Sequence, residues 1–162
     1  RRPAAAAQPL RRWTTGALVL TVITLLSGGF VAGLDAGMMF NTFPLMGGQV
    51  VPPGYVVESL GWRNALENPV AVQFHHRLLA ITTAVTVLLL AWAVRRRPDT
   101  GSLRPATDAA ALLVLLQVGL GITTLLTFVP VTLGVMHQVT GVALLTAMLV
   151  AAAHVNARSR RS

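Results

Sequence analysis

The sequence contains no cysteine and no lysine, and only five of its 162 residues are acidic. Without thiols, disulfides, iron–sulfur clusters and thiolate zinc sites are excluded. The lack of cysteine says nothing about redox compartment. Charge is scarce as a whole: 11% of residues are charged, against about a quarter in ordinary soluble domains. Long apolar blocks take the place of charge, with 54% hydrophobic residues and a mean hydropathy of +0.65. Lipid rather than water is therefore the expected solvent.

The charge that is present is strongly one-signed, with a net value of +8. A polyanionic partner is one explanation for such an excess, but its placement points elsewhere. Arg1, Arg2, Arg11 and Arg12 precede the first apolar block, and Arg95, Arg96, Arg97 and Arg104 separate the second from the third. Arg158, Arg160 and Arg161 follow the fourth, leaving only Arg63 and Arg77 elsewhere. Basic residues dealt out between spans follow the positive-inside rule. They do not form the continuous basic groove that nucleic acid requires, so no nucleic-acid partner is expected.

A helix needs about 20 mostly apolar residues to cross a bilayer core. Trp13–Gly33, Val72–Val94, Asp108–Phe128 and Leu133–His154 meet that length. The predicted fold is an all-α membrane protein, a four-helix transmembrane bundle with a long outer loop over residues 34–71. Residues 1–12 read as a cytoplasmic basic linker, 13–154 as the membrane domain and 155–162 as a cytoplasmic basic tail. With arginines inside, both termini are cytoplasmic. An opening of Arg-Arg-Pro and four alanines reads as a linker between segments of a longer protein. Gly29 and Gly33, four apart in the first span, predict a close helix contact there. The short turn around Val129–Thr132 makes the third and fourth spans antiparallel neighbours. The long outer loop, with Asp35, Glu58, Arg63 and Glu67, is the type of segment that covers a site or carries function.

Histidine is the residue type that stands out inside the spans. His76 and His137 fall early in the second and fourth spans, which run in the same direction, and so lie at matching depth. Two imidazoles at one level on different helices suit the two axial positions of a haem iron, with the porphyrin between the helices. The competing reading is that each histidine only bonds a neighbouring helix. His75 lies about 100° around the helix from His76, so one of the two can face an iron. The match to His137 favours His76, and spacing alone leaves both open. His154 is roughly 25 Å along the helix from His137 and reads as an interfacial residue. Arg77 is suited either to neutralising a haem propionate or to snorkelling to headgroups. Met38 and Met39 read as packing residues of the loop.

Several separate motifs resemble the heme A synthase family of cytochrome oxidase assembly. They are Val31-Ala-Gly-Leu-Asp-Ala-Gly37, Asn41-Thr-Phe-Pro-Leu-Met46, Glu67-Asn68, Val72-Gln-Phe-His-His-Arg77, and Gln117-x-x-Leu-Gly-Ile-x-Thr-Leu125 with His137-Gln138. The resemblance runs from about Trp13 to the end of the fourth span. It implies an oxidoreductase that converts the C8 methyl of heme O to the formyl of heme A, built from two similar four-helix halves. One half of such enzymes is associated with the heme O substrate and carries Glu-x-x-His-Arg. The other holds a b-type haem between two histidines. Here the pattern is Gln73-x-x-His76-Arg77, which selects His76 and has an amide in place of the carboxylate. The resemblance is therefore to the C-terminal, cofactor-haem half, with His76 and His137 as iron ligands and Gln73 and Arg77 beside the haem. Implied partners are membrane lipid, a second four-helix half in the same chain or another copy, the heme O-producing farnesyltransferase and an electron donor. A four-helix b-type cytochrome for membrane electron transfer is the alternative, and the Asn41-Thr-Phe-Pro44 motif is the feature such a carrier has no reason to share. A non-haem membrane scaffold or transporter is the third class. Arginine as the sole basic residue and abundant alanine point to a GC-rich bacterial genome, and so to a plasma membrane rather than a mitochondrial inner membrane.

Overall fold

The computed structural model describes residues 3–159. Four long helices dominate it: α1 (Pro3–Gly33), α3 (Pro69–Arg95), α4 (Arg104–Leu126) and α5 (Val131–Ser159), with a one-turn helix α2 (Asn64–Glu67) in the long loop. Among the described residues there is no β-strand, only an isolated bridge between Met46 and Gln49. Within these helices, Gln8–Gly33, Pro69–Arg95, Arg104–Leu126 and Val131–Ala157 are long and apolar enough to cross a membrane. The chain is thus an all-α membrane protein built on a four-helix bundle. Leu26, Leu112 and Val139 are more than half exposed on the bundle's outside. That is the surface lipid solvates and water does not.

Local chemistry sets the helix ends. Asn68 caps α3, its Oδ1 accepting from the Val70 N–H at 3.0 Å, and Pro69 follows at the first helical position, where its missing N–H costs nothing. α4 and α5 meet through a tight turn. Phe128 and Val129 both take left-handed backbone angles there (φ 61° and 55°), and Val129 N–H donates to Thr124 O at 2.8 Å. A β-branched residue in that region is strained, so the turn is held by its surroundings rather than by its own preference.

α1 and α4 each pack against both α3 and α5. α3 and α5 therefore stand diagonally opposite one another. This places the two histidine-bearing helices on facing sides of the bundle interior. The buried apolar core is not spread evenly along the axis. Its members include Leu10 and Ala17 on α1, Val87, Leu90 and Val94 on α3, Ala110 and Val114 on α4, and Met148 and Val155 on α5. All lie toward the arginine-bearing end. The stretches around His76, His137, Ser27, Gln73 and Gln117, nearer the long loop, supply none of that core's buried members. Tight apolar packing fixes the bundle at one end and leaves a polar interior at the other.

The close helix contact expected at Gly29 and Gly33 lies elsewhere. Both are exposed, and an added methyl at either meets nothing within 4 Å. Of these glycines Gly28 is the one that faces inward, against His76, because the helix is rotated by one position from what the Gly-x-x-x-Gly spacing implied.

Candidate functional site

His76 is seven residues past the start of α3 and His137 six past the start of α5. At 1.5 Å per residue the two rings sit about 9–11 Å along their helices, level with one another. Each ring also rests on a glycine of the adjacent helix. A methyl at Gly28 of α1 would meet His76 Cε1 at 3.3 Å, and one at Gly121 of α4 would meet His137 Cε1 at 2.9 Å. The absence of side chains at 28 and 121 is what makes room for the imidazoles.

The hydrogen bonds of the two rings differ. Ser27 Oγ donates to the Thr24 carbonyl at 2.7 Å and lies 2.7 Å from His76 Nδ1. A hydroxyl has one proton, so the second contact is completed by the Nδ1–H of His76 donating to Ser27. That network assigns the tautomer and leaves the Nε2 lone pair of His76 free. Beside it, Thr24 and Thr83 hydroxyls meet at 2.7 Å and brace α1 against α3. His137 has weaker support. The Gln117 side-chain amide approaches its Nε2 at 3.4 Å, while His137 Nδ1 and Gln117 Oε1 are buried with no side-chain partner among the described residues.

His75 points the other way. Its Nε2 lies 2.9 Å from the Tyr55 hydroxyl, and the ring packs edge-on with Tyr55 and Phe74 under the long loop. His154 is exposed at the opposite end of α5, along a groove lined by Ser102, Pro105, Ala143 and Val150. Of the four histidines, then, only His76 and His137 face the same interior. Met38 and Met39 are exposed in the loop.

Gln73 and Arg77 bind the backbone of the loop. Gln73 is 2% exposed, and its amide donates to Phe40 O at 3.1 Å and Gly37 O at 3.4 Å. Arg77 donates through Nη2 to Phe40 O at 2.6 Å and through Nη1 to Thr42 O at 2.8 Å. From the other side, Asn41 Nδ2 donates to Leu125 O at the end of α4, at 2.8 Å. A methyl at Gly37 would lie 3.1 Å from Val129 in the α4–α5 turn. Residues 37–42 therefore form a strap across the mouth of the bundle, tied to α3, α4 and the α4–α5 turn. The Asn-Thr-Phe-Pro motif is where it is tied. Arg77 Nε and Gln73 Oε1 are left buried without partners among the described residues.

Ser27 and Gly28 are site residues that sequence reasoning did not single out, and Gly121 entered it only as part of the Gln117–Leu125 motif. Ser27 lies one helical turn after Thr24 and Gly28 seven residues before Asp35, but nothing in that spacing tells which side of α1 faces inward. Among the described residues no group of three or more His, Cys, Asp or Glu comes together to hold a bare metal ion. Two nitrogen donors across a polar interior suit instead a metal that arrives with its own equatorial ligands. The unengaged Nε2 of His76 and the two glycine-lined seats fit that requirement.

Residues 1–149 match the sequence model of the COX15-CtaA family, described as cytochrome oxidase assembly protein. The chain is 44% identical over 140 residues to the heme A synthase COX15 of Homo sapiens, covering 86% of this chain and 34% of that protein. It is 44% identical over 156 residues to the heme A synthase of Rhodospirillum centenum, covering 94% of this chain and 41% of the relative. With the heme A synthase of Granulibacter bethesdensis the identity is 47% over 149 residues, covering 92% and 38%. The chain thus spans well under half the length of these relatives. No solved structure matches it.

Proposed function

This chain belongs to the COX15-CtaA family of cytochrome oxidase assembly proteins, and we propose that it forms the haem-holding four-helix half of a heme A synthase. In this reading His76 and His137 are the residues that would hold a b-type haem. The observation that carries it is the pair of level imidazoles on diagonally opposed helices, each seated on a glycine. When bound there, the haem supplies a one-electron redox centre.

The chain's own residues do the rest. Ser27 keeps the His76 proton on Nδ1, so that Nε2 presents a lone pair. Arg77 has both terminal nitrogens engaged by the strap and retains Nε as a donor for a propionate. Gln73 cannot ionise, so it holds the strap without putting a negative charge in the interior. Oxidation of the heme O methyl is assigned to a companion half bearing Glu-x-x-His-Arg, with the haem held here as cofactor rather than substrate.

The reading is tested by haem content and product together. The chain should retain one haem after purification in mild detergent, and His76→Ala combined with His137→Ala should abolish it. Co-expression of the chain with its companion half should yield heme A in membranes, and the double variant should not. Undiminished haem content in the double variant would sink the proposal.

A further inference from the structure

The two histidines sit in matching places but are held unequally. His76 donates Nδ1–H to Ser27 at 2.7 Å, and Ser27 is itself fixed by donating to Thr24 O at 2.7 Å. An ordinary serine in a helix bonds its own backbone and stops there. Ser27 does that and also accepts from an imidazole 49 positions away. Among the described residues no hydroxyl holds His137 in this way. Its Nδ1 has no side-chain partner among them, and the Gln117 amide approaches its Nε2 at 3.4 Å. That amide occupies the ring nitrogen left after Nδ1, so it competes with a metal for Nε2.

We propose that Ser27 is the positioning residue of His76, making His76 the firmly held ligand of the pair and His137 the exchangeable one. The inference rests on the haem reading above. A bond from Nδ1–H to a fixed acceptor orients the ring and raises the electron-donating power of Nε2, which favours the oxidised metal and strengthens the metal–nitrogen bond. Removing the acceptor reverses both effects. Because His137 lacks this bond, its loss from the metal costs less than the loss of His76.

The test uses the purified chain loaded with haem, in four forms: unsubstituted, Ser27→Ala, Ser27→Thr and Thr83→Ala. Midpoint potential is read by spectroelectrochemical titration and haem loss by transfer to excess apomyoglobin. Ser27→Ala should raise the potential and speed haem loss by about tenfold, the lower end of what lost outer-shell partners cost in metal affinity. Ser27→Thr keeps a hydroxyl and should restore both. Thr83→Ala removes the adjacent α1–α3 hydrogen bond without touching His76 and should leave the potential unchanged. In parallel, His137→Ala should retain haem longer than His76→Ala.

An unaltered potential in Ser27→Ala overturns the assignment. So does a shift that Ser27→Thr fails to reverse, or equal haem loss from His76→Ala and His137→Ala. If the unsubstituted chain takes up haem and these outcomes appear, the Ser27 assignment alone falls. If it takes up none, the haem reading falls and the assignment with it.

Discussion

A methyl built on Gly121 would stand 2.9 Å from Cε1 of His137, closer than unstrained carbon atoms approach. The corresponding distance from Gly28 to His76 is 3.3 Å, where a small shift suffices. Alanine at a helical glycine normally favours the helix by about 0.8–1 kcal/mol. Gly121→Ala should therefore leave the apo bundle as stable or more so while displacing the imidazole. We expect about tenfold weaker haem binding in Gly121→Ala, on the scale of a disturbed ligand shell, and a smaller loss in Gly28→Ala. Haem titration followed at the Soret band, alongside thermal melting of the apo chain, separates the two effects.

Gly29→Ala serves as the contrasting case. Nothing lies within 4 Å of a methyl at that position. Its expected result is unchanged haem binding and a bundle stabilised by up to about 1 kcal/mol. A loss of haem in Gly29→Ala comparable to that in Gly121→Ala would mean that α1 is rotated differently from the orientation described.

His75 and His76 are neighbours in sequence with opposite surroundings. His75→Ala removes the 2.9 Å contact with Tyr55 and loosens the attachment of the long loop. The expected cost is that of one hydrogen bond, about 1 kcal/mol, with the haem spectrum unchanged. If His75→Ala changes the ligation spectrum as much as His76→Ala does, the assignment of the ligand to His76 is wrong.

Arg77 ties the strap through two carbonyls, and Arg77→Lys keeps the charge but cannot span Phe40 O and Thr42 O with a planar fork. Charge-assisted hydrogen bonds of this type contribute about 1.5–3 kcal/mol. Hydrogen exchange of residues 38–46 should accelerate at least about tenfold in Arg77→Lys, since roughly 1.4 kcal/mol is a factor of ten. Exchange across Leu144–Val155 should not change. Asn41→Ala, which cuts the bond to Leu125 O, should open the same segment from the α4 side. Unchanged exchange in both variants would show that neither residue ties the strap.

The four-helix architecture was legible because membrane thickness acts along one dimension. An apolar run of sufficient length and the sites of arginine are enough to read it, and neither depends on how a helix is rotated. Rotation is where legibility ended. Gly28, Gly29 and Gly33 differ only in which side of α1 they occupy, and α1 is apolar nearly all round, so periodicity does not choose among them. The strap was hidden for another reason. Gln73, Arg77 and Asn41 bond backbone carbonyls, which carry no sequence signature, so Gln73 and Arg77 read as site or headgroup contacts rather than as ties to residues 37–42. The level placement of His76 and His137 was readable from their positions in the spans. The unequal support of the two rings depended on Ser27 and Gln117, whose facing is set by packing alone.

The ligation state of the haem-loaded chain is the most direct measurement of the central claim. Visible absorption and low-temperature electron paramagnetic resonance of the purified chain should show a low-spin iron with two imidazole ligands. His76→Ala and His137→Ala should each convert it to a high-spin form or release the haem, while His75→Ala and His154→Ala keep the low-spin signal. A chain that takes up no haem, or a low-spin spectrum that persists unchanged in His76→Ala and His137→Ala, would contradict a haem held between these two residues.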